Sequence, residues 1–429
     1  MPNLANQRIL THRFGPVSIV VVLLTSCLLT TLGPKGWCGE ELLVDGVVHI
    51  RNGAEPASGV ETVTLAEIWR AGGEDDDIFF GSIAQVLADD EGHIYVMDSQ
   101  LCEVHVYADN GEHLKVLSRE GDGPGEIRSP GDMFFLPDGT LGMIQSFPGK
   151  VVKIDLDGTP AGSMNLSGTD PSQGQFGVLS VGRCRGGNIL LIGFRMSFQA
   201  GQGTLNQSLF ASSCDAEGNE LHRYFSKKYP ILPAAFELDE LGIDFVWGRI
   251  ALGPDGRVYA APDRNAYAIH VLTPSGDLER VIEREYKSWQ RTDEQKKSAR
   301  LNLEAVGHYY PYPLQGVTIE DTEPAVGGII VLEDGSLWVS NSRDNRTLPE
   351  GILVSFDVFD NSGHYQKKVH IKGSGDIDRD ALFMVNEDKL VLVTGATDAW
   401  RSMQAVNVEE GEVEDEATAL EVICYELAR

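Results

Sequence analysis

Five short polar stretches hold the side chains best suited to binding or chemistry: Asp98-Ser99-Gln100, Gln145-Ser146, Arg195, Asp263-Arg264-Asn265 and Asn341-Ser342-Arg343-Asp344. Each follows an apolar run with the pattern of a strand. Asp98, Asp263, Asn341 and Asp344 offer hard oxygen donors, the only ligand type that calcium requires. Asp98, Gln100, Gln145, Arg195, Arg264, Asn341 and Arg343 offer the mixed donors and acceptors of a polar ligand site. Taken singly, each is an ordinary hydrogen-bonding loop residue, so a shared mouth is what would make them a site.

Zinc chemistry is disfavoured, because it needs His or Cys grouped in space. His93, His105, His113, His222, His270, His364 and His370 all fall in predicted turns or outer strands. No Ser-His-Asp arrangement, phosphate loop or HExxH pattern occurs. The acidic run Glu409–Glu416 lacks calcium-loop spacing and reads as a solvated loop.

The elements that must position these residues form a repeat. Six segments place a tight turn between two apolar strands, at Val86–Val96, Met133–Leu141, Val181–Leu190, Ile250–Tyr259, Ile330–Val339 and Phe383–Leu392. Five of the turns contain Gly, at Gly92, Gly139, Gly187, Gly256 and Gly335. Asp-Gly supplies the positive φ that a two-residue hairpin demands. A second hairpin follows in five units, at Asn110-Gly111, Asp157-Gly158, Glu217-Gly218, Ser275-Gly276 and Ser362-Gly363. Two successive hairpins make a four-stranded meander, and six meanders around an axis make an all-β, six-bladed β-propeller.

The ends of the chain fit that count. The sixth unit has a third strand at Leu420–Leu427 and then stops, while a surplus strand, Val63–Trp69, precedes the first unit. Pairing of the two would close the ring and remove two sheet edges. Stretches Asp90–Asp98, Val104–Tyr107 with Asn110-Gly111, and Gly121–Glu126 with Pro130 resemble one blade and connector of the NHL-type six-bladed propellers. More specifically, the chain resembles the bacterial exported six-bladed propeller proteins. The resemblance is strongest over residues 60–160, looser over 245–283 and 326–372, and implies fold rather than activity, since this superfold hosts hydrolases, lyases and binding modules. The calcium-dependent lactonase propellers are the alternative, although none of their motifs is present.

Spacing between turn glycines lengthens in the third and fourth units, which marks insertions. The larger, at about 286–325, contains Thr292-Asp293-Glu294-Gln295, a capping box that predicts a helix of roughly three turns. His308-Tyr309-Tyr310-Pro311-Tyr312-Pro313 follows, either an aromatic lid over a ligand or a packed connector. Cys102, Cys184, Cys214 and Cys424 are too few for a disulfide scaffold and read as small buried hydrophobes.

Residues 1–38 read as a signal peptide or an anchor. Arg8 and Arg13 precede the apolar run from Val17, and Leu24-Thr25-Ser26-Cys27 resembles a lipobox with Cys27 as the lipidated residue. Cleavage near Cys38 and an uncleaved anchor are the other two readings, and all three put 39–429 outside the cytoplasm, in the periplasm, cell envelope or medium. The 429 residues carry 64 acids against 35 Lys and Arg, a net charge of -29. Such a field repels phosphate backbones, so nucleic acid is excluded as a partner, and the membrane is reached only through the N-terminus. The expected molecule is a monomeric exported binding or scaffold module taking a protein, small molecule or carbohydrate at its channel mouth. A metal-dependent hydrolase, lactonase or lyase with calcium in the channel is the alternative.

Overall fold

The computed structural model describes residues 39–428 apart from 75, 199–202 and 405–418. The N-terminal segment 1–38, including Cys27, and the acidic run 409–416 therefore lie outside the described residues.

Period-two alternation of apolar residues gives antiparallel strands whose buried faces must stack on something. Three sheets are plain four-stranded meanders. The first is Ile83–Ala88, Ile94–Asp98, Glu103–Tyr107 and His113–Leu117; the second is Pro130–Phe135, Leu141–Gln145, Lys150–Ile154 and Pro160–Asn165. The third, Gln175–Arg185, Asn188–Phe198, Leu205–Cys214 and Glu220–Lys228, has much longer strands. A fourth meander, Ile250–Leu252, Val258–Ala260, Ala268–Leu272 and Leu278–Arg284, is extended at its outer edge by the hairpin Gly39–Val44 and Val47–Asn52. Asp45 and Gly46 at that hairpin's tip both have positive φ, 51° and 87°, as a two-residue I′ turn requires.

Glu237–Asp239 and Gly316–Thr318 form a separate two-stranded parallel sheet, and eight strands form the last one. Val326–Val331, Leu337–Asn341, Ile352–Phe359 and Tyr365–Lys372 make a fifth meander. Ala381–Met384, Lys389–Val393 and Glu421–Ala428 make three strands of a sixth, and Val60–Gly72 supplies its fourth. Val60–Gly72 pairs antiparallel with the C-terminal strand, Trp69 opposite Cys424 and Ala71 opposite Val422, while its first residues run parallel to Tyr365–Lys372.

Hydrophobic clusters join the meanders in sequence order. Tyr95 and Met97 pack with Met133 and Met143, and Phe134 and Ile144 with Leu179 and Phe210. Leu190 and Ile192 pack with Ile250 and Val258, Ile269 with Val339 and Phe359, and Trp338 and Phe356 with Leu390 and Leu392. The series returns to its start, since Val391 and Val422 pack with Ile94 and Val96. All four cysteines of this region are free thiols within these strands and turns.

The repeated turn differs in detail from the two-residue hairpin expected. The Asp89 N–H donates to the His93 carbonyl across three loop residues, and the same bond runs from Leu136 to Thr140, from Gly253 to Arg257 and from Leu332 to Ser336. Of the loop residues only the Gly has positive φ, 88° at Gly92, so the turn is a type I turn followed by a glycine bulge.

Among the described residues four α-helices decorate the sheets: α1 (Glu240–Ile243), α2 (Asp293–Gly307), α3 (Ser342–Arg346) and α4 (Ala396–Met403). The capping box at Thr292 and Gln295 starts α2, in which the side chain of each residue accepts from the backbone of the other. Tyr310 and Tyr312 pack with Phe236, Leu205 and Leu303 beneath α2, so these two aromatics are a packed connector; Tyr309 stays exposed. Among the described residues no helix is long and apolar enough to cross a membrane.

Candidate functional site

A cavity of about 840 Å³ is bordered by five of the meanders and by the segment that leads into the fourth. Its walls are the first strands, at Ala84–Leu87, Gly131, Ser180, Gly327–Ile330 and Leu382–Met384, together with Trp247 and Gly248 ahead of the fourth. First strands lie innermost, so their inward side chains decide what the cavity presents. Gln85, Asp132, Ser180 and Gly328 each stand seven residues before their turn glycine, and all four line the cavity.

Two polar networks cross between meanders there. Gln85 Nε2 donates to Asp132 Oδ1 at 2.7 Å, and Asp132 Oδ2 accepts from Arg183 Nη1 at 2.5 Å and from the Gly182 N–H at 3.0 Å. Asp132 is 3% exposed, so burial of its charge is met by these donors and by the Met133 N–H. On the opposite wall Arg346 Nε donates to both Glu323 oxygens, at 2.9 and 3.1 Å, and its Nη1 reaches Asp378 at 2.5 Å. Arg183 keeps part of its guanidinium exposed, and Trp247, half-buried, also lines the wall.

The sequence-derived site residues are not assembled as one set. Asp98 is fully buried, and its carboxylate accepts four backbone N–H groups, from Gly81, Ser82, Gln100 and Leu101. Gln145, at the equivalent position of the second meander, accepts from the Arg128 N–H and donates to the Phe147 and Pro148 carbonyls. Both side chains fasten the end of a second strand to neighbouring backbone. Gln100 is exposed. Asp263 is also exposed and accepts from the Asn265 N–H.

Asn341 and Asp344 do meet, and Asn341 also borders the cavity. Asn341 caps α3 through the Asp344 N–H and donates to Asp344 Oδ2 and to Asp357 Oδ2, each at 2.8 Å. Asp357 is buried and further bound by Arg284 at 2.7 Å, Tyr267 at 2.8 Å and Tyr365 at 2.5 Å. Burial pushes the Asp344 carboxyl upward, yet the hydrogen bonds from Asn341 and Lys368 and the charges of Lys368 and Arg284 hold it below its ordinary range. Its oxygens therefore serve an internal ion-pair network. Asp344 lies in α3, as does Arg343, rather than in a loop; Arg343 donates to the Lys287 and Ser288 carbonyls.

Arg264 is buried and directed at Glu240 of α1, 2.6 Å away, with Arg291 on the same carboxylate at 2.7 and 2.8 Å. Arg195, expected in a loop, lies inside the strand Asn188–Phe198, because the third meander's strands run past the usual loop position. It pairs with Glu220 at 3.0 Å and lines a second pocket outside the cavity. Among the described residues no group of three or more His, Cys, Asp or Glu is arranged to hold a metal ion.

The helices α2 and α4 touch each other. Arg401 of α4 donates to Asn302 Oδ1 and Ser298 Oγ of α2, both at 2.8 Å, and Trp400 Nε1 donates to the Tyr309 hydroxyl at 3.3 Å. Ala396 and Ala399 seat α4 on the cluster shared by the sixth and first meanders. Beneath α2 and its C-terminal extension lie Leu205 and Met196 of the third.

Repeated meanders, cyclic packing and a cavity walled by the first strands of five meanders decide the architecture. The fold is a β-propeller. A family model described as 6-bladed beta-propeller, DUF5128, matches residues 74–170 of the chain. No curated protein matches. Among solved structures the chain is similar to a protein of Bacteroides fragilis NCTC 9343 named as a candidate exported protein, at 10% identity and TM-score 0.48, covering 86% of this chain and 100% of that one. A member of the DUF4221 family from Bacteroides vulgatus is 11% identical with TM-score 0.43, covering 85% and 98% of the two chains. The calcium-binding protein regucalcin from Agrobacterium tumefaciens is 14% identical with TM-score 0.39, covering 86% and 97%.

Proposed function

We propose that this propeller is an exported binding module of the cell envelope that holds a small polar ligand, of carbohydrate size and chemistry, in its central channel. The six meanders are then six blades of one NHL-like ring, closed where the N-terminal strand Val60–Gly72 completes the C-terminal blade. Export rests on the basic-then-apolar segment that precedes Gly39.

The observation that carries the reading is the channel wall itself. Asp132, Glu323 and Asp378 face it, yet each is engaged by a guanidinium, Arg183 or Arg346. These carboxylates are taken up by internal ion pairs, whereas the partly exposed guanidinium of Arg183 keeps donors with which to hydrogen-bond a polar guest. Trp247 adds an aromatic surface of the kind that sugar rings favour. The alternative, a calcium-dependent hydrolase, lactonase or lyase, calls for Asp98, Asp263, Asn341 and Asp344 around one ion. Asp98 is bonded to the backbone N–H groups of Gly81, Ser82, Gln100 and Leu101, and Asp344 to Lys368.

In a ring of six, the seat of α4 on the sixth and first blades lies opposite the third blade, beneath α2. Their contact therefore spans the mouth, as a strap that restricts entry to small guests. The test is a set of melting curves with neutral mono- and disaccharides, on the wild type and on Ser340→Trp, which places an indole in the channel. A bound guest raises the midpoint by mass action in the wild type alone.

A further inference from the structure

The second pocket, of about 600 Å³, lies away from the channel on the third meander. Its floor is one face of the sheet, since Gly177, Arg195, Ser208 and Lys228 are cross-strand partners, as are Gln175, Ser197 and Asn206 one pleat further along. Phe176, Met196 and Gln207 alternate with them, and Met196 and Gln207 turn to the packed side, where Gln207 meets the Tyr310 hydroxyl.

The composition of that face is unusual for this chain. No Asp or Glu lines the pocket, although the protein carries 64 acids against 35 Lys and Arg. Arg195 and Lys228 stand on either side of Ser208, about 10 Å apart at two strand spacings. Arg195 is held in place: its Nη2 bonds to Glu220 and to the Ser167 carbonyl, and its guanidinium lies 4.3 Å over the Phe210 ring. Nε and Nη1 are left over for a guest. Lys228 is exposed, and among the described residues nothing pairs with its ammonium. Between and beside the two cations, Gln175, Ser197, Asn206 and Ser208 present amides and hydroxyls.

We propose that this face is a binding site for a hydroxyl-rich organic anion, the chemistry shared by uronates and sugar phosphates. The two cations take the anionic group, which they meet inside a concave surface where charge-assisted hydrogen bonds are stronger than in open water. The neutral amides and hydroxyls donate and accept, as sugar hydroxyls require. Glu220 offsets the charge of Arg195, so the unpaired Lys228, with no Asp or Glu among the lining residues, is what draws an anion to this face of a negative molecule.

Calorimetric titration with glucuronate and with glucose 6-phosphate at low salt tests the site in the wild type, Lys228→Gln and Ser208→Glu. At least one anion binds the wild type, Lys228→Gln weakens it about tenfold, one charge-assisted hydrogen bond's worth, and Ser208→Glu abolishes it. Lys228→Gln leaves the melting temperature unchanged, which separates lost binding from lost folding. Binding of only one of the two identifies the uronate or the phosphate as the natural group. Failure of both to bind, or equal affinity in the wild type and the two variants, overturns the proposal.

Discussion

Gln85 and Asp132 are bonded across 2.7 Å and occupy the same place in successive repeats, each seven residues ahead of its turn glycine. One repeat position thus supplies both halves of a fastener between the first and second blades, and Arg183 extends it to the third. Replacing Asp132 by Ala strands four donors, Gln85, Arg183 and the Gly182 and Met133 N–H groups. A loss of about 2 kcal/mol is expected, discounted because Arg183 remains partly solvated. Urea unfolding of Asp132→Ala and Asp132→Asn measures it, with Asn recovering part of the loss; a midpoint equal to wild type in both would show that the network holds nothing.

Val422 and Cys424 of the C-terminal strand are fully buried and pair with Ala71 and Trp69 near the start of the chain. Ending the chain before Leu420 removes that partner and leaves the apolar face of the first meander uncovered. The truncated protein is expected to lose its single cooperative melting transition. A transition matching that of the full chain would refute closure by the two termini.

At Gly186 φ is +57°, and a Cβ would stand 2.2 Å from the Gly256 backbone nitrogen, in the turn of the next meander. Neither strand can move without disturbing the blade contact, so Gly186→Ala is expected to cost about 2 kcal/mol or more. Gly139, also at positive φ but with open space around it, isolates the backbone term: Gly139→Ala is expected to cost roughly 1 kcal/mol. Equal losses in the two variants would remove the steric part of the argument.

Burial lowers the proton affinity of His105, and the neighbouring His113 lowers it further, although Asp98 opposes; Glu103, at 3.5 Å and partly exposed, does not outweigh them. Burial acts in the same direction on His270 and His370. A histidine with a depressed folded pKa contributes stability that is present above its unfolded value, about 6.5, and is lost as pH falls below it. Melting temperature should therefore fall between pH 7 and pH 5.5, and His105→Gln should flatten the fall. An unchanged slope in that variant would clear His105 of the effect.

Sequence showed the fold more fully than the site, for physical reasons. Turn glycines have to be glycine where φ is positive, so Gly92, Gly139 and Gly335 mark the meanders from local information alone. The outer hairpin Gly39–Asn52 has an equally good local signal in Asp45-Gly46, but its parallel partner Leu278–Arg284 lies more than 220 residues away and leaves no local trace. The repeat spacing puts Arg195 in a loop, whereas Asn188–Phe198 and Leu205–Cys214 stay paired past that position, and the length of that pairing has no local signal. Asp98 and Asn341 have the right chemistry for ligands, but whether a carboxylate faces a guest or its own backbone is decided by the bend of the following residues. The repeat phase would have found the channel wall: Gln85, Asp132, Ser180 and Gly328 share one spacing from the turn.

Binding in the channel is tested most directly by equilibrium dialysis of the protein against the neutral sugars, followed by recovery and chemical analysis of whatever is retained. One guest per chain, recovered unchanged from the wild type and absent from Ser340→Trp, is the predicted result. Retention that survives the channel-filling substitution, or a guest recovered as a cleaved or rearranged product, would contradict it.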